Sequence, residues 1–74
     1  MNKFERDCLK IRIIKLAMLK STGTPAEMAC KFDISQRSVK RLVKEIRNDG
    51  YKIIFNRLRQ TYVVEKNAEH LKNI

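Results

Sequence analysis

The stretch that decides the fold is residues 24–50, which read TPAEMACKFDISQRSVKRLVKEIRNDG. It opens with Thr24, Pro25 and Glu27 in the order of a capping box. Proline stands at the first helical position, where its missing N–H does no harm. These residues therefore predict a short helix over 25–32.

A longer helix follows the short one after a brief interruption. Ser35 has the chemistry of an N-cap, the helix is predicted over 36–49, and Gly50 stops it. One narrow arc of this helix is apolar and must face the core: it holds Val39, Leu42, Val43 and Ile46. The opposite side carries Arg37, Lys40, Arg41, Lys44 and Asn48. A short helix joined to a longer one by a tight turn is a helix-turn-helix unit.

Outward from this unit, one more helix precedes it and a hairpin follows. Residues 4–20 contain neither glycine nor proline, which predicts a helix, with Gly23 as its left-handed terminator. Within 51–65 the apolar period changes to about two on either side of a polar turn, as in paired strands. The tail, 66–74, forms either a short docked helix or a frayed end. The sequence thus predicts a mainly α (α+β) fold of three helices and a C-terminal two-stranded hairpin.

Length and charge limit the possibilities further. Seventy-four residues predict a single domain. Seventeen Lys and Arg against eight Asp and Glu give a net charge of +9, which points to a polyanionic partner, either nucleic acid or an anionic membrane. Residues 35–60 hold eight basic and two acidic residues, and eight minus two leaves +6 in about one-third of the chain.

Several classes of protein are not expected from this sequence. With no apolar run of about 18 residues and no signal-peptide pattern, a cytoplasmic protein associated with the nucleoid is expected. Cys8 and Cys30 are therefore expected to be reduced, small and largely buried. His70 is the only histidine, and the chain has only two glycines. The sequence predicts no enzyme, no metal site and no cofactor.

Residues 28–42 resemble a known pattern. They read MACKFDISQRSVKRL, which is similar to Leu-Ala-x-x-Leu-x-Val-Ser-x-x-Thr-Val-x-Arg-x. That pattern marks bacterial winged helix-turn-helix domains of the DeoR and biotin-repressor types. Residues 50–53 and 62–64 also resemble the two wing strands, so the resemblance covers roughly 9–65.

The resemblance implies double-stranded DNA as the partner. It implies that the third helix enters the major groove while the hairpin touches the flanking backbone or minor groove. The sequence departs from the pattern at Asp33 and Thr61, where the family often has glycine. Asp tolerates a left-handed conformation, so the turn at Asp33 is expected to survive. Relatives usually carry a ligand-binding or catalytic domain, and none follows here, so no small-molecule effector site is expected.

The candidate DNA-binding residues follow from this geometry. Ser35 caps the third helix and leaves its end free to approach phosphate. Base contacts are expected from Gln36, Arg37 and Ser38, because glutamine can pair with adenine and arginine with guanine. Phosphate contacts are expected from Lys40, Arg41 and Lys44. Contacts to the minor groove or to phosphates are expected from Asn56, Arg57 and Arg59.

The first helix carries two further features that leave alternatives open. Its second apolar face, with Ile11, Ile14 and Met18, either packs under the hairpin or forms a homodimer seam. Its cations are expected to be an ordinary solvated surface: Lys10, Arg12 and Lys15. A protein-interaction module and an RNA-binding domain remain the rival functions, and a membrane-surface role for this helix is more remote.

Overall fold

The computed structural model describes residues 2–65, and it contains three helices followed by an antiparallel hairpin. The order of elements is α1 (Lys3–Met18), α2 (Pro25–Phe32), α3 (Gln36–Asn48), β1 (Ile53–Asn56) and β2 (Thr61–Val64). The predicted α+β layout is confirmed. The prediction made for the tail, 66–74, lies outside the described residues. No helix within 2–65 has the length and apolar character needed to cross a membrane.

The first helix begins at a side-chain cap and ends two residues earlier than predicted. Asn2 accepts a hydrogen bond of 2.8 Å from the backbone N–H of Glu5. At the other end Lys20 takes up a left-handed conformation, φ 56°. The N–H groups of Lys20 and Ser21 then bond back to the carbonyls of Ala17 and Leu16, at 3.0 and 2.9 Å. This is a Schellman ending. The prediction that Gly23 terminates the helix is therefore wrong.

Gly23 serves the start of α2 instead. Its φ is +76°, and a Cβ placed on it would lie 3.2 Å from the side chain of Glu27. That space lets Glu27 reach back to the N–H of Thr24 at 3.0 Å while Thr24 accepts from the N–H of Glu27 at 3.1 Å. The capping box predicted for α2 is confirmed, as are the bounds of the helix.

The turn between α2 and α3 depends on Asp33. Its φ of 57° and ψ of 47° are left-handed, which confirms that aspartate supplies the conformation for which the family pattern has glycine. Ser35 caps α3, and Gly50, with φ 107°, follows its C-cap residue Asp49. The N–H of Tyr51 bonds to the carbonyl of Ile46 at 3.3 Å, so Tyr51 belongs to the end of the helix and β1 begins only at Ile53.

The hydrophobic core lies between the three helices and one face of the hairpin. α1 packs on α3 and β2, and α2 packs on α3. The buried cluster includes Ile13, Ala17, Met28, Ala29, Val39, Leu42, Val43, Ile46, Ile53 and Tyr62. The expectation that the cysteines are largely buried is wrong: Cys8 and Cys30 are free and exposed. Each lies on the side of its helix away from the residues that the helix buries, Ile13 and Ala17 in α1 and Met28 and Ala29 in α2.

The hairpin is short and regular. β1 and β2 pair from Ile53 opposite Val64 to Asn56 opposite Thr61. The opposed rings of Phe55 and Tyr62 meet edge to face with centroids 5.0 Å apart, a favourable cross-strand aromatic contact. The turn 57–60 joins the strands.

Candidate nucleic-acid interface

The third helix divides sharply into a buried and an exposed side. Its predicted core stripe is confirmed, because all four members are at most 2% exposed: Val39, Leu42, Val43 and Ile46. Arg37, Arg41 and Lys44 lie on the far side and are exposed. Nothing in the described chain covers this side of α3, so its guanidinium and ammonium groups face solvent.

The acidic groups at the end of α3 are held against α1. Asp49 Oδ2 lies 2.6 Å from Lys10 Nζ, and Glu45 Oε1 lies 3.9 Å from both Lys10 Nζ and Arg6 Nη1. The hydrogen bond to Asp49 raises the pKa of Lys10 above its ordinary value. The two carboxylates are therefore engaged by cations of α1.

Two cations of the first helix have partners on other elements, but only Lys10 departs from the exposed surface that the sequence suggested, since Arg12 is exposed. The Lys10 side chain is only 16% exposed and is paired as described. The Arg12 guanidinium lies 5.0 Å from the centroid of the Phe32 ring, a cation–π contact between α1 and α2. Lys15 is exposed, as expected. The sequence could not identify these partners, because each comes from another element.

Two of the eight basic residues between 35 and 60 are likewise engaged within the domain. Arg47 Nε donates a 2.8 Å hydrogen bond to the carbonyl oxygen of Ile53, which ties the last turn of α3 to the start of β1. Lys52 Nζ lies 3.3 Å from Glu65 Oε2. The remaining six, which we call the outer cations, are exposed and have no ion-pair partner within residues 2–65. They are Arg37, Lys40, Arg41, Lys44, Arg57 and Arg59.

The N-terminus of α3 is closed by its own serines. Ser35 Oγ accepts a 3.1 Å hydrogen bond from the N–H of Ser38 and donates one of 3.0 Å to Ser38 Oγ. Ser38 is half-buried, whereas Gln36 and Arg37 are exposed. Of the three residues predicted to touch bases, the structure therefore presents Gln36 and Arg37 openly and turns Ser38 towards the cap.

The hairpin tip is organised by side chains that close the turn. Asn56 Oδ1 accepts a 3.0 Å hydrogen bond from the N–H of Arg59, so its amide NH₂ is the group left for a partner. Gln60 is left-handed, φ 53°, and its amide donates to the carbonyl of Arg57. Leu58, which the sequence placed in a polar turn, is 97% exposed.

A buried pair of threonines anchors the hairpin to the helices, and sequence reasoning missed it. Thr61 Oγ1 accepts from the N–H groups of Thr22 and Gly23, at 2.9 and 3.1 Å. Thr22 Oγ1 accepts from the N–H of Tyr62 at 2.8 Å. Thr61 stands where the family pattern often has glycine. Its side chain is needed here because the hydroxyl accepts these two backbone hydrogen bonds. The only sequence signal was that departure from the pattern.

The second apolar face of α1 separates into two parts. Ile14 is half-buried and packs against the core, as the intramolecular alternative expected. Ile11 and Met18 are 52% and 59% exposed and lie two helical turns apart on the outer side of α1. Of the three residues predicted for this face, these two are the exposed ones, and they keep the homodimer seam open as an alternative.

An open groove lies beside the start of α3. Phe4, Leu9, Phe32 and Ile34 supply its apolar lining, and the Ser35 cap lies at its edge. Phe4 is 75% exposed. Among residues 2–65, no three His, Cys, Asp or Glu side chains are placed to hold a metal ion.

Comparisons with known proteins gave no relative for this chain. No protein-family model, no curated protein and no solved structure matches it. The likeness to winged helix-turn-helix domains rests on the pattern over residues 28–42 and on the order of elements.

Proposed function

We propose that this chain binds double-stranded DNA in a sequence-selective manner, with α3 in the major groove and the hairpin against the flanking backbone or minor groove. In this role it is a small transcription regulator or an accessory DNA-binding factor of the cytoplasm. The single observation that carries the proposal is the state of the outer cations. All six are exposed and unpaired within residues 2–65, while the neighbouring Arg47 and Lys52 are engaged inside the domain.

The shape of α3 suits a major groove. A groove about 12 Å wide admits a helix, and residues in the first turn reach base edges most easily. Gln36 and Arg37 occupy that turn and are exposed. An arginine can bond guanine O6 and N7 in bidentate fashion, and a glutamine can bond adenine N6 and N7. These two residues are the proposed base readers.

The remaining outer cations are assigned to the phosphate backbone. Lys40, Arg41 and Lys44 lie further along α3, where contacts position the protein rather than specify sequence. Arg57 and Arg59 flank the hairpin tip. Each neutralised phosphate releases counterions, so the affinity of such a domain falls steeply with salt.

Two other functions fit parts of the structure. The Phe4 groove and the exposed Ile11 and Met18 would suit a protein-interaction module, and the outer cations would also suit RNA. DNA is preferred because the cations lie on the two elements that a helix-turn-helix protein applies to a duplex. An A-form RNA helix has a deep, narrow major groove that side chains cannot read.

Fluorescence anisotropy with labelled duplexes tests the proposal. We expect binding to random duplex DNA at low salt, a linear fall of log K with log salt, and weaker competition by an RNA duplex of equal length. Selection from a random duplex library should return a defined motif. A palindromic motif would support two copies, since dimers read half-sites about 34 Å apart. If the anisotropy of the labelled duplex does not rise at low salt, the protein-interaction module is favoured instead.

A further inference from the structure

The most exposed large apolar side chain among residues 2–65 is at the hairpin tip. Leu58 is 97% exposed, whereas the next, Phe4 and Leu19, are 75% and 74% exposed. A leucine left entirely in water loses the free energy that its burial would provide. Leu58 therefore lacks a packing role in the described domain.

The turn does not need a leucine at this position. Its backbone is closed by Asn56, which accepts from the N–H of Arg59, and by Gln60, which donates to the carbonyl of Arg57. The left-handed φ of Gln60 completes the reversal. None of these hydrogen bonds involves residue 58. The turn is therefore closed without any contribution from Leu58.

The surroundings of Leu58 indicate what it meets. It stands between two arginines, Arg57 and Arg59, which are exposed and unpaired within residues 2–65. A single apolar side chain between two cations does not make a contiguous apolar patch for another protein. This arrangement suits a duplex opened at one base step, where the phosphates on either side are anionic and the unstacked base faces are apolar. Charge complementarity therefore favours nucleic acid as its partner.

We propose that Leu58 is a wedge that enters the minor groove next to the α3 site and partly unstacks one base step. This inference rests on the proposed DNA binding. Minor-groove proteins insert apolar side chains such as leucine between base steps and kink the duplex towards the major groove. Arg57 and Arg59 hold the phosphates on either side of the opened step. Because pyrimidine–purine steps unstack most easily, the wedge selects TA or CA/TG at the flanking position.

The test uses the full chain and a library-selected duplex with 2-aminopurine at successive flanking positions and a donor–acceptor pair at its ends. For the wild type we expect a rise of 2-aminopurine fluorescence at one step and a shorter end-to-end distance. Leu58→Gln should lose both signals while its affinity falls by about tenfold or less. Leu19→Gln, a matched change of an exposed leucine at the C-cap of α1, should keep both signals. Circular dichroism establishes that both variants are folded.

The outcomes separate the wedge from the function on which it rests. If the wild type binds no duplex, both proposals fail. If it binds but Leu58→Gln unstacks and bends DNA as the wild type does, the wedge is overturned and DNA binding stands. Co-sedimentation with phosphatidylserine vesicles tests whether Leu58 binds an anionic membrane instead. Vesicle binding that needs Leu58, together with unchanged DNA bending, would assign the leucine to a membrane and overturn the wedge.

Discussion

The hydroxyl oxygens of Thr22 and Thr61 lie 2.9 Å apart in the core, and each satisfies backbone N–H groups on the segment of the other. Thr22 is 0% and Thr61 is 3% exposed. The loop between α1 and α2 is thereby joined to the first residue of β2. The hairpin is held at both ends, since Arg47 holds the start of β1.

Replacing Thr61 by Val should destabilise the domain. Valine keeps the shape but leaves the buried N–H groups of Thr22 and Gly23 without an acceptor, at a cost of about 1–3 kcal/mol. For a domain of this size each kcal/mol lowers Tm by roughly 4–8 °C. Thermal unfolding followed by circular dichroism measures the effect. Thr61→Ser retains the hydroxyl and is the control, and equal losses for the two variants would show that the hydrogen bonds are not responsible.

Replacing Arg37 by Ala should reduce affinity for the preferred duplex and relax base choice at one position. The expected loss is about 1–3 kcal/mol, because a bidentate base contact disappears. Titration of matched and mismatched duplexes by anisotropy measures it. A loss that is the same on every sequence would remove Arg37 from the base readers.

Replacing Lys44 by Ala should weaken binding to all duplexes about equally. Because it removes one phosphate contact, the slope of log K against log salt should flatten by about one. Lys15→Ala removes the same charge from α1, outside the proposed interface, and serves as the control. If the two lysine variants behave alike, net charge rather than docking by α3 explains the binding.

Replacing Lys20 by Gly should stabilise the domain. A non-glycine residue in the left-handed region costs about 1–2 kcal/mol, and part of this is recovered when glycine takes its place, with a net gain of about 0.5–1 kcal/mol. Asp33→Gly should gain less, since aspartate tolerates this conformation better. Gly50→Ala should destabilise through backbone strain alone, because no atom lies within 4 Å of the added Cβ. Urea midpoints rank the three variants.

Lowering the pH should remove the contribution of Glu27 to the stability of the folded domain. Hydrogen bonds from the backbone and side chain of Thr24 lower the pKa of Glu27 below its ordinary value. A carboxylate with a lowered folded-state pKa stabilises the domain above the unfolded pKa, and this stability is lost as pH falls through the folded pKa. Glu27→Gln keeps a capping side chain but cannot titrate.

Urea unfolding of the wild type and of Glu27→Gln between pH 7 and pH 3 checks this expectation. The stability advantage of the wild type should shrink as the pH falls through that window. Parallel pH profiles for the two proteins would show that the pKa of Glu27 is not lowered in the folded state.

Local chemistry explains which parts of the fold could be predicted. The bounds of α2 follow from Thr24, Pro25 and Glu27, which act on backbone groups within one turn. The end of α1 was misplaced because Lys20 becomes left-handed only through its bonding to the preceding carbonyls, and nothing in a lysine signals that state. β1 began later than predicted because the N–H of Tyr51 is taken by the end of α3.

In the candidate site, too, the sequence predicted features that depend on one helix but not contacts between elements. Helical periodicity placed Arg37, Arg41 and Lys44 opposite the core stripe, and the structure agrees. Periodicity could not show that Lys10 pairs with Asp49 or that Arg47 turns to the hairpin, because those partners meet only through tertiary packing.

The hydrogen bond from Arg47 to Ile53 restrains how far the hairpin can move relative to α3. In the proposed docking, this one side chain links the helix assigned to the major groove to the hairpin assigned to the flanking groove, so the protein itself limits the distance between them. A nucleic acid with a different groove separation has to deform to fit, and the energy of that deformation becomes a means of choosing among sequences and helical forms.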